Sequence, residues 1–247
     1  MAIWNDPQPR RTGFGASPSL NGSAIGRATY DQGLRRYMLS IYNYMASGVL
    51  LSGVVALLFA QSGMAAEVLS TPLRWLIVLA PLGFVFAMSF GVNRMQTTTL
   101  QALFWGFCTV MGLSLSTIFL VYTGASIATT FFATAGAFAG LSLVGYTTKR
   151  DLSAMGAFMT MGLIGILIAM VINIFLHSTG LQLAISILGV LIFAGLTAWD
   201  TQRLKAMYNQ VAGTEFAGKA VVLGALSLYL DFINMFQFLL SFMGARR

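Results

Sequence analysis

Two carboxylates stand where an apolar chain has little reason to carry them. Asp231 lies inside Ala225-Leu-Ser-Leu-Tyr-Leu-Asp231-Phe-Ile-Asn-Met-Phe-Gln-Phe-Leu-Leu240, a run long enough to cross a bilayer, and Asp200 closes another, Leu191-Ile-Phe-Ala-Gly-Leu-Thr-Ala-Trp199. An ionised side chain at mid-bilayer costs roughly 2.5 to 3.5 kcal/mol on insertion scales, so it persists only facing a bundle interior or a watery path. Two such groups close together oppose double ionisation, share a proton and titrate as a unit. Their oxygens also suit a hard cation, but Ca²⁺ takes about six to eight oxygen ligands. Asp200 and Asp231 as metal ligands therefore imply weak, transient binding or passage, not a buffer.

The composition says what must hold them. Of 247 residues 57% are hydrophobic and only 9% charged, against about 25% charged in soluble domains. Apolar runs of spanning length recur from Tyr37 onward, so the chain reads as an all-α integral membrane protein of seven transmembrane helices. Residues 1–36, polar and arginine-bearing, read as a disordered basic cytoplasmic tail, and residues 37–247 as the membrane domain. The spans are expected at about 34–61, 73–92, 98–122, 127–146, 152–176, from 181 past Asp200 to 208, and 219–243. Pro81 implies a kink in the second, and Gly136-Ala-Phe-Ala-Gly140 in the fourth has the spacing of close helix packing.

Basic residues set the orientation. Arg10, Arg11, Arg27, Arg35, Arg36, Arg94, Lys149, Arg150, Arg203, Lys205 and Lys219 fall on the side of the N-terminus, and only Arg74, Arg246 and Arg247 on the other. Eleven against three puts the N-terminus in the cytoplasm. A six-span alternative with a re-entrant last segment would keep the final arginines inside, but the last run is long enough to cross. The net charge of +7 belongs to these loops and to lipid head groups, not to nucleic acid.

With a loop at 209–218, Asp200 is nine residues before it and Asp231 thirteen after. At about 1.5 Å per residue the depths are roughly 14 and 20 Å, one helical turn apart, so the pair can meet in the cytoplasmic half. Structural readings compete with this one. Asp200 can pair with Arg203 on the next turn at the interface, Asp231 can be a neutral carboxyl bonded to another helix, and Arg94 can be a topology charge. Enzyme chemistry lacks parts: His177 is the only histidine, Cys108 the only cysteine, Gly112-Leu-Ser-Leu-Ser116 lacks the second glycine of a nucleophile elbow, and no zinc or phosphate-binding motif is present.

Trp199-Asp200-Thr201-Gln202, followed by Ala225-Leu-Ser-Leu-Tyr-Leu-Asp231-Phe-Ile-Asn, resembles the signature of the bacterial branch of the Bax inhibitor-1 family. The resemblance implies a bacterial inner-membrane protein whose last helix is central and wrapped by the other six as two three-helix layers. It also implies a pH-sensitive calcium leak with Asp200 and Asp231 as sensor and Arg94 as latch, and no cofactor beyond Ca²⁺ as permeant ion. The rival expectations are a membrane-embedded regulator that binds a membrane protease or other membrane machinery, and a proton-coupled ion exchanger.

Overall fold

The computed structural model describes residues 19–247, with side chains from residue 29 onward other than those at 66 and 69. Among them the secondary structure is helical: α1 (Ser19–Gln61), α2 (Met64–Ser70), α3 (Leu73–Gly91), α4 (Thr97–Val121), α5 (Gly124–Thr147), α6 (Ser153–Leu176), α7 (Thr179–Val211) and α8 (Phe216–Met243). All but the seven-residue α2 are long and apolar enough to cross a membrane, which makes seven spans. Side-chain caps start two of them. Thr123 accepts from the Ser126 amide at α5, and Ser178 from the Leu181 amide at α7, each satisfying a backbone donor that the helix itself leaves free.

The central position of α8 is visible in its burial. In its most apolar window 56% of residues are buried, against 11% in α3 and 6% in α6. It packs directly against α1, α4, α5 and α7. The outer α3 rests on α4 and the outer α6 on α7, so α1, α3 and α4 form one trio and α5, α6 and α7 the other, with α8 between. Large aromatic rings fill the seam: Tyr229 is fully buried, edge-on to Phe104 and Phe107 at 5.1 Å from the latter.

Several sequence expectations need correction. The first helix starts at Ser19, so residues 19–36 of the expected disordered tail are helical; residues 1–18 lie outside the described residues. From Tyr30 on, this part of the helix packs on the end of α7, where Tyr30 and Tyr37 both lie 5.4 Å from the Tyr208 ring and Tyr30 donates to Asn209. The part of α1 from Thr29 has 33 residues, about 50 Å against a hydrocarbon core of about 30 Å, so its first turns project from the bilayer. Gly136 and Gly140 face open space and make no helix contact; the close approach on α5 is at Gly145, which lies against the Ala198 carbonyl of α7. The loop between α7 and α8 is residues 212–215, shorter than expected, and Gly213 supplies its left-handed residue at φ 76°.

The chain ends on the side opposite the start of α1. The Thr123 amide donates to the Ala245 carbonyl, the Ala245 amide to Ser126 Oγ and the Arg247 amide to the Val121 carbonyl, at 3.1, 2.9 and 2.9 Å. The C-terminus thus sits on the α4–α5 turn, as seven full crossings require, and the re-entrant alternative falls.

Candidate functional site

The hairpin of α7 and α8 brings the aspartates together. Asp200 stands eleven residues before the last residue of α7 and Ser227 eleven after the first of α8, so these two are level. Ser227 Oγ donates to Asp200 Oδ2. Asp231 follows Ser227 by four residues, on the same face of α8 and one turn deeper. Both carboxyls are buried, with 7% of Asp200 and 5% of Asp231 exposed.

Their surroundings differ. Asp200 has Ser227 on one side and, on its own helix, Arg203 Nη1 3.9 Å from Oδ1. The Arg203 guanidinium also stacks 5.3 Å from the Trp199 ring centroid and is 56% exposed, so the pair is a wet one. Asp231 Oδ2 is buried with no hydrogen-bond partner. A buried acceptor left unpaired costs about 1 to 3 kcal/mol.

Each residue of Trp199-Asp200-Thr201-Gln202 has a separate task. Trp199 packs against the bare Cα of Gly156 on α6. Thr201 Oγ1 lies 3.5 Å from both Ser142 Oγ on α5 and Tyr42 Oη on α1. Gln202 closes the α5–α6 turn, accepting from the Leu152 amide at 2.9 Å and donating to the Arg150 carbonyl at 2.8 Å. One turn on, Lys205 Nζ donates to the Tyr146 carbonyl at 2.8 Å and lies over the Tyr146 ring. The segment that carries Asp200 is therefore fixed to α1, α5, α6 and α8 at once.

Arg94 is not brought to the pair. It is exposed in the turn between α3 and α4, and among the described residues the ion pair at Asp200 is made by Arg203. The α3–α4 turn that carries it is held by Lys219 Nζ donating to the Val92 carbonyl at 3.0 Å. Sequence reasoning also missed two participants. Ser227 was hidden among aliphatic neighbours, although its spacing of four from Asp231 was a readable signal. Ser52 bonds the Tyr229 hydroxyl at 2.6 Å and the Cys108 carbonyl at 2.7 Å, tying α1, α4 and α8 together at the level of the pair; nothing in its local sequence singles it out.

For a cation the arrangement supplies two carboxylates and one serine. Among the described residues no group of three or more His, Cys, Asp or Glu converges on a point.

Comparison with known proteins gives a consistent picture. A family model described as inhibitor of apoptosis-promoting Bax1 matches residues 34–247. The chain is 46% identical to the uncharacterized protein RP147 of Rickettsia prowazekii, over 89% of this chain and 93% of that one. It is 48% identical to an uncharacterized protein of Caulobacter vibrioides, over 88% and 91% of the two chains. To the inner membrane protein YbhL of Escherichia coli it is 45% identical, over 87% and 94%.

Proposed function

The chain belongs to the family described as inhibitor of apoptosis-promoting Bax1, and within it we propose a passive, pH-sensitive conduit for cations, Ca²⁺ in the first instance, controlled by Asp200 and Asp231. The observation that carries this reading is the unpaired, buried Oδ2 of Asp231 on the central helix, one turn from an Asp200 that already has a partner. A proton on the pair removes the repulsion between two desolvated carboxylates, and its loss leaves oxygens that attract a cation. Two acidic ligands hold such an ion weakly, which suits passage. The chain has no nucleotide-binding loop to power transport, so flux follows the gradient.

The protein works in the inner membrane with its N-terminus in the cytoplasm. The basic residues support that orientation by eleven to three, and the Escherichia coli relative is named for that membrane. In this orientation Asp200 faces the cytoplasmic half, so cytoplasmic pH is what the pair reads.

Ca²⁺ flux into proteoliposomes, measured from pH 6 to 8, is the test. Wild-type protein conducts with a pH-dependent rate, whereas Asp231→Asn conducts at a lower rate that no longer follows pH. Equal flux from the two proteins at every pH overturns the proposal. Proton movement coupled in fixed ratio to Ca²⁺ would replace the conduit by an exchanger.

A further inference from the structure

Helices α1 and α5 both flank α8 but hardly touch each other, and a groove of about 950 Å³ opens between them toward the bilayer. Met38, Met45 and Leu50 of α1 and Phe131 and Phe138 of α5 line it, and Phe232 of α8 closes its inner side, 5.5 Å from the Phe138 ring. At its N-terminal mouth stand Asp31 and Arg35. A second hollow of about 380 Å³ adjoins there, sharing Arg35 and Leu39 with the groove and otherwise lined by Gln32, Arg36, Ser40 and Asn43. An apolar slot therefore meets a polar, basic shelf at one arginine.

The depths match a lipid. About twenty residues back from Gln61, the far end of α1, the hydrocarbon boundary falls near Tyr42. Arg35 and Arg36 then lie at head-group level, and the slot continues to Leu50, a further eight residues or about 12 Å, close to one leaflet of a hydrocarbon core of about 30 Å. Arg35 and Arg36 are exposed, and among the described residues neither forms an ion pair. With Asp31 the mouth carries two cations and one anion.

We propose that this groove is a binding site for an anionic glycerophospholipid, its phosphate on Arg35 and Arg36 and an acyl chain in the slot between α1 and α5. The site adjoins the aspartates on two sides. Tyr42 and Ser142 line the groove while lying 3.5 Å from Thr201, the neighbour of Asp200, and Phe232 is the neighbour of Asp231. The lipid accordingly packs against residues that flank the pair, which the protein itself already buries.

The full-length protein in nanodiscs, given phosphatidylglycerol with a photoactivatable acyl chain, tests this by mass spectrometry of labelled peptides. Label is expected on residues 38–50 of α1 and 131–143 of α5, with a preference over the matching phosphatidylcholine on the order of fivefold, the value of one net basic charge near a membrane surface at about 1 kcal/mol. Arg35→Gln with Arg36→Gln removes the preference but leaves residual labelling. Ala139→Trp, which fills the slot from a groove-lining position, lowers labelling by both lipids, with a thermal melt of each variant confirming the fold. Equal labelling by the two lipids, label spread over lipid-facing helices such as α6, or equal capture of a free fatty acid overturns the proposal. So does a cross-link between copies from cysteine placed at Ala139, which would make a second chain the occupant. None of these readouts depends on ion flux.

Discussion

Ser227 on α8 donates its hydroxyl hydrogen to Asp200 on α7, at the level where the two helices leave their shared loop by equal lengths. The aspartates are therefore staggered by one turn with a serine between them, and only the deeper one, Asp231, keeps an oxygen free. The pair is an occupied position beside a vacant acceptor.

Ser227→Ala removes the donor and leaves Asp200 with Arg203 alone. Side-chain hydrogen bonds inside membrane proteins average about 0.6 kcal/mol and reach about 1.7, and a protein of this size loses about 2 to 4 °C of Tm per kcal/mol. A fall in Tm of a few degrees is expected in a detergent thermal melt, with Ser227→Thr near wild type. An unchanged Tm in Ser227→Ala would show that the bond holds nothing.

Asp231→Leu is expected to melt at or above the wild-type temperature while abolishing pH-dependent flux. The substitution removes a buried acceptor without a partner, a group that costs stability where it stands. A loss of several degrees would mean that Asp231 has a structural partner after all.

The contact of α5 with α7 predicts an asymmetry among glycines. A methyl at Gly145 would meet the Ala198 backbone, which cannot swing aside as a side chain can, so Gly145→Ala costs about 1 to 3 kcal/mol through overpacking. Gly136→Ala and Gly140→Ala have free space and gain about 0.5 to 1 kcal/mol each from the stiffer helix backbone. Melting curves of the three variants decide it.

The two arginines separate latch from interface. Arg203→Gln loses an ion pair of which the arginine is 56% exposed, worth up to about 1 kcal/mol, and Arg94→Gln loses no pairing visible in this structure. If Arg94 engages an aspartate in another state of the protein, Arg94→Gln changes the pH profile of flux while Tm stays fixed. If neither quantity moves, Arg94 is a topology charge.

Asp151 gives a control for pH. Its exposed carboxylate, at the start of α6, accepts from the Ser153 hydroxyl and amide at 2.6 and 2.9 Å, which holds its pKa below the ordinary 3.8. Such a group stabilises the fold fully above its unfolded pKa and loses that contribution as pH falls through its lower folded one. Between pH 6 and 8 it stays ionised, so Asp151→Asn leaves the pH profile of flux unchanged.

The seven spans and the antiparallel pairing of the last two were legible because hydrophobic length and loop charge are strong one-dimensional signals. Asp200 and Asp231 stood out because each broke an apolar run. Their partners did not: Ser227 and Ser52 cost little in a membrane helix, so their composition raises no alarm, and only the facing helix reveals what they bond. The glycine pattern failed for the same reason. Gly136 and Gly140 have the right spacing but face outward, whereas Gly145 owes its role to a carbonyl on α7 that no pattern within α5 encodes. Arg94 carried its role as counter-ion or latch from its place at the end of the second span and from the resemblance, and the fold leaves it in solvent.

The last residues of the chain carry one more consequence. Just past its far end α8 is laced to residues 121–126 by three hydrogen bonds, two between backbones and one from the Ala245 amide to Ser126 Oγ, and at its near end Lys219 is fastened to the α3–α4 turn beside a four-residue loop. A rod pinned at both ends cannot piston. The outer α3 and α6, each resting on one long neighbour and the least buried of the seven spans, frame this fixed axle.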